Sequence, residues 1–224
     1  MIDPKNITSF NLSQDGLEEV LLFWICAAGK NGTTAANSLE KLLSKQNKKN
    51  KHPFDFIRLI DKQSNLAEEM RKAGIGCYNN KAKTFRALAY SGLNLKICSV
   101  EELEAIPGIG PKTARCFLMH SRPNQKYAGL DRHILNFMSD CGISTPKNSP
   151  SGKKYKNLEQ IFLKIAEMSK KSVADLDLLI WKVYSNRHTD ESGIEFLNRL
   201  KSKWIAYYGW KSYDKTKSSL GSSK

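Results

Sequence analysis

Between Leu103 and Asp140 the chain reads LEAIPGIGPKTARCFLMHSRPNQKYAGLDRHILNFMSD, and this stretch leaves few folds open. Leu103 and Ile106 form one apolar face, and Pro107 breaks the turn that carries them. Gly108 and Gly110 then admit positive φ and close approach of another backbone. Pro111 suits the first position of a new helix, where a missing N–H is no loss. The spacing therefore predicts helix, tight hairpin, helix, short loop, helix. The amides at the start of the second helix have no intrahelical acceptor, which makes them a site for a phosphate. Lys112 stands at that mouth, and Asp131 follows nineteen residues later, just before an apolar helix.

The rest of the chain is helical by the same criteria. Leu17, Val20, Leu21, Trp24 and Ile25 recur at helical spacing over 15–28, and a second helix is expected over 35–43. Short helices follow over 54–60, 66–73 and 81–90. Ser99 and Glu102 stand at capping-box spacing ahead of the hairpin. Beyond it, STPKNSPSGKKYKN reads as a basic linker, with apolar helices over 158–168, 176–184 and 194–208. No β pattern of useful length appears, so the fold class is all-α. The run KQNKKNKHP reads as a solvated basic loop, and the tail 206–224 carries too little apolar content to pack, so it is expected to be disordered.

The formal net charge is +14, an excess that favours a polyanionic partner. The five cysteines are scattered without a CxxC pair, so reduced thiols in an intracellular protein are expected, with no metal or iron–sulfur site. The opening MIDPKNITSF has no charged segment followed by an apolar one, and VLLFWICAA is too short to span a bilayer. No membrane partner is expected.

Three segments in order, MRKAGIGCYNNKAKTFRAL, IPGIGPKTA and LDRHIL, resemble the helix-hairpin-helix DNA glycosylase superfamily over about residues 15–205. The resemblance implies two helical lobes with an active-site cleft between them. One lobe would span about 28–125; the other would combine the N-terminal helix with about 126–205. Segment 1–14 precedes them. It also implies a double-stranded DNA partner carrying a damaged base, bound by a monomer. Lys112 matches the position where bifunctional members carry an attacking amine, and Asp131 matches the carboxylate that stabilises positive charge at C1′. Each keeps a plainer reading: Lys112 as a phosphate contact, and Asp131 as an N-cap. His133 is read as structural.

Cluster-bearing branches, resembling endonuclease III or the adenine-mismatch glycosylase, carry four closely spaced cysteines after the last helix. No cysteine follows Cys141 here. The segment LLFWICAAGKNGTTAANSLEKL resembles instead the Asn-rich turn of the 8-oxoguanine glycosylases. That resemblance puts Lys30 and Asn31 in the gap left by a flipped base, against the alternative of a simple polar turn. Cys77 and Tyr78 occupy the place of the intercalating wedge, or pack on their own turn. Asp177 and Trp181, four apart on one helix, line the base pocket, or Trp181 belongs to the core. Gly108 and Gly110 hold a phosphate 3′ to the lesion. The expected activity is glycosylase and AP lyase on an oxidised purine, most closely 8-oxoguanine. The alternatives are an oxidised pyrimidine, or a non-catalytic DNA-binding hairpin protein. No catalytic cofactor is implied, although hairpins of this family bind a monovalent cation through backbone carbonyls.

Overall fold

A computed structural model describes residues 2–45, 52–185 and 191–220, with side chains through 208. Among the described residues all regular structure is helical, eleven α-helices and one short 3-10 turn over Pro4–Asn6. No described helix is long and apolar enough to cross a membrane. The chain divides into two compact units, 1–129 and 130–224.

The first unit is built around α1 (Gln14–Ala27), which buries Leu17, Leu21, Phe23 and Ile25 on several sides. A helix apolar nearly all round must be covered all round. Helices α2 (Gly32–Leu43), α3 (Pro53–Gln63), α5 (Tyr78–Tyr90) and α7 (Pro111–Ser121) all pack on it. For that reason α1 belongs to the first unit, a correction to the expectation that it joins the second lobe. Buried Glu18 on α1 accepts the Phe54 N–H at 2.8 Å, so a carboxylate stabilises the positive end of α3. Helix α4 (Leu66–Lys72) is capped by Asn65, and α6 (Val100–Glu104) opens on the Ser99/Glu102 capping box. The basic run between Lys45 and His52 lies outside the described residues. Its flanks are tied by ion pairs, Lys45 to Glu69 at 2.7 Å and His52 to Asp15.

The second unit packs α8 (Arg132–Asp140) on α10 (Val173–Tyr184), and α9 (Gly152–Ser169) on α11 (Glu191–Leu220). Phe137, Phe162, Ile165, Leu176 and Ile180 are fully buried. Two sequence expectations change here. The linker ends early, because α9 begins at Gly152 and carries Tyr155 into the core, 1 % exposed. Helix α11 runs to Leu220 rather than ending at 208, since extending an existing helix avoids the nucleation step.

Candidate active site

The hairpin starts where α6 ends. The Ile106 and Ile109 N–H groups donate to the Leu103 and Ile106 carbonyls, at 3.1 and 3.0 Å, and close a tight turn. Gly108 sits in it at φ +90°, and a Cβ there would meet Thr84 Oγ1 of α5 at 2.0 Å. Both backbone sign and space require glycine at 108. Gly110 differs from expectation: its backbone is extended, φ −94°, and a Cβ there would face open space. It is the N-cap of α7, where any residue fits the backbone, so only its missing side chain distinguishes it. With no side-chain cap and Pro111 first in the helix, the Lys112 and Thr113 amides face outward without intrahelical acceptors.

Two substitutions separate these glycines. Gly108→Ala combines a positive-φ penalty with a clash, so a loss of about 2–4 kcal/mol is expected by thermal denaturation. Gly110→Ala is expected to change stability by less than about 0.5 kcal/mol.

Lys112 is half-buried on the first turn of α7. Arg115 lies one turn on in α7. It is buried, and its guanidinium pairs with Glu104 and donates to the Pro111 carbonyl. Tyr127 lies beside it at 6.0 Å. Arg115 thus braces both arms of the hairpin and holds the turn that bears Lys112.

In the second unit Asp131 is the N-cap of α8. Its Oδ1 accepts from the His133 and Ile134 N–H groups, at 2.8 and 2.9 Å. The plainer reading is therefore present in the geometry. Both capping bonds fall on one oxygen, which holds the rotamer and leaves Oδ2 outside the cap. The preceding residue is fixed as well, since the Leu130 N–H donates to the Tyr155 hydroxyl at 3.1 Å. His133 Nδ1 is buried with no hydrogen-bond partner, so that atom does not tie down the loop. Asp177 is buried and Trp181 half-buried on α10, one turn apart on one face.

The remaining predicted positions lie on two turns of the first unit. Lys30 is exposed, and Asn31 caps α2 by accepting from Thr33 and Thr34 N–H, at 3.0 and 3.4 Å. Cys77 caps α5 in the left-handed region at φ 53°, an uncommon conformation for a non-glycine residue. It is exposed, while the other four cysteines are buried. Tyr78 opens α5 and is half-buried. Among the described residues no group of His, Cys, Asp or Glu side chains is arranged to hold a metal ion.

Residues 94–118 match the helix-hairpin-helix motif. Among solved structures the chain is similar to one described as a non-covalent endonuclease III–DNA complex, with a TM-score of 0.54 at 20 % identity. The superposition covers 74 % of this chain and 72 % of that one. The fold is the helix-hairpin-helix fold of endonuclease III. Within it, the motif spans the segment 94–99, α6, the Gly108 turn and most of α7. Sequence reasoning located the hairpin, with Lys112 on the first turn of α7 and Asp131 at the start of α8. It missed the approach of Thr84 to Gly108, the bond from Leu130 to Tyr155 and the bonds from Lys81 to the end of α1, each made between segments distant in sequence.

Proposed function

We propose that the protein is a DNA base-excision glycosylase with AP-lyase activity, acting on an oxidised purine, most closely 8-oxoguanine. The observation that carries this reading is Lys112 on the first turn of α7, beside an uncapped helix mouth in a hairpin of endonuclease III-like fold. The structure similar to this one is described as a DNA complex, and the +14 charge of this chain suits the same polyanion.

In the proposed reaction the outward amides of α7 hold a phosphate of the lesion strand, and the damaged base leaves the stack. The Lys112 amine attacks C1′ as the glycosidic C–N bond breaks, and the base departs with that bond's electron pair and takes up a proton. Asp131 Oδ2 stabilises the positive charge developing at C1′. The sugar ring opens to a Schiff base, a C2′ proton is removed, and the C3′–O bond breaks to release the 3′ phosphate. Lys30, Asn31, Cys77 and Tyr78 are assigned to the gap in the duplex, and Asp177 and Trp181 to the base pocket. The proposal includes action as a monomer on double-stranded DNA, in an intracellular setting. None of these steps draws on a cofactor. A monovalent cation would sit on turn carbonyls such as that of Ile106, which accepts one N–H and keeps a second lone pair.

The test is a panel of duplexes carrying 8-oxoguanine, thymine glycol, uracil or alkylated adenine, assayed for excision and for borohydride trapping. The expected result is excision and a covalent adduct on 8-oxoguanine. Activity confined to thymine glycol selects the oxidised-pyrimidine reading. Binding without excision on every duplex selects a non-catalytic hairpin protein.

A further inference from the structure

One face of α5 touches three turns of the first unit. Cys77, Lys81 and Thr84 are spaced four and three residues apart, which places them along a single side of the helix. Cys77 forms the wedge turn itself. Thr84 backs the hairpin at Gly108. Between them, Lys81 is a buried lysine without an acidic partner among its hydrogen bonds. Its ammonium donates to the Cys26 carbonyl at 2.7 Å and to the Ala28 carbonyl at 3.0 Å.

Those carbonyls end α1, and Ala28 is its C-cap, with the backbone turning out towards Gly29, Lys30 and Asn31. A cation at a helix C-terminus meets the negative end of the dipole and satisfies carbonyls that lack intrahelical donors. The turn that Lys81 holds also returns to α5. A Cβ on Gly76 would fall 2.3 Å from Lys30 Cε, so the Lys30 side chain lies across the wedge turn. Burial, with Lys30 as a smaller like-charged contribution, pushes the Lys81 ammonium below the usual lysine range. A buried charge of this kind is retained at some expense to stability, and neither proposed reactive group uses it.

We infer that Lys81 is a positioning residue for DNA engagement: by tying the end of α1 to the first turns of α5, it fixes the spacing between the Lys30–Asn31 turn and the Cys77–Tyr78 turn, so that both enter a damaged duplex together. The inference rests on the DNA-repair reading above. A merely structural lysine would add stability alone. A positioning lysine controls what the two turns do at the gap while leaving general affinity for DNA intact.

The full chain is compared with Lys81→Met and Lys81→Arg in two measurements. In hydrogen exchange on the free protein, Lys81→Met is expected to speed the amides of 28–31 about tenfold or more, with α7 protection unchanged. The second measurement uses a duplex with a tetrahydrofuran abasic analogue opposite 2-aminopurine. Lys81→Met is expected to bind undamaged duplex within about threefold of wild type, yet to lose most of the 2-aminopurine fluorescence change. Lys81→Arg, which keeps donors for both carbonyls, should restore at least half of it. If Lys81→Met melts too early to compare, Lys81→Gln carries the same measurements. Unchanged exchange at 28–31, or a full fluorescence change in the Met variant, overturns the inference. A wild-type protein that leaves 2-aminopurine unchanged overturns the DNA-repair reading and the DNA half of the inference, even where the exchange result holds.

Discussion

Lys112→Gln is expected to leave no borohydride-trapped adduct on an 8-oxoguanine duplex and to reduce base release by about a thousandfold or more. An amide nitrogen has no lone pair available to attack C1′, so both the covalent intermediate and the strand cleavage that follows it disappear together. Stability should change by less than about 0.5 kcal/mol, because Lys112 is half-buried and makes no ion pair among the described residues. Duplex affinity should fall by no more than about tenfold, because the backbone amides of α7 assigned to the phosphate are kept and only one positive charge is lost. A variant that excises the base at the wild-type rate without an adduct assigns the attack to water. One that keeps the adduct assigns the amine to another lysine.

Asp131→Asn is the second large effect, and here the capping geometry sharpens the test. Asparagine caps helices about as well as aspartate, and its carbonyl oxygen can accept from the His133 and Ile134 N–H groups as Oδ1 does now. Only the charge is removed. If Asp131 stabilises C1′, base release should fall by about 100- to 1,000-fold at unchanged thermal stability. Asp131→Ala should show the same kinetic loss together with a loss of about 1 kcal/mol from the missing cap. Base release that survives in Asn and falls only in Ala would make Asp131 a cap and nothing more.

The two proposed reactive residues are legible in sequence for a common reason. Each stands at a helix start, and helix starts are written in local chemistry: Gly110–Pro111 ahead of Lys112, and Asp131 itself ahead of its apolar run. The same holds for the Ser99/Glu102 box, found as a cap. Local reading fails where a residue's meaning lies in a distant partner. Lys81 reads as one polar position on an amphipathic helix, yet its acceptors are 55 and 53 residues away. Tyr155 sits in a run that reads as linker, and the bond to Leu130 that draws it inward spans 25 residues. Gly108 and Gly110 look equivalent in sequence. Thr84, on another helix, is what makes one of them obligatory and leaves the other free.

By itself, then, the sequence determined the helical class and the hairpin, and set Lys112 and Asp131 at helix starts, because periodicity, caps and turn residues act within a few positions. Tertiary structure decided what covers α1, which glycine is needed, and how Arg115, Tyr155 and Lys81 brace the turns around them. Those outcomes depend on burial and on hydrogen bonds between segments that meet only after the chain has folded.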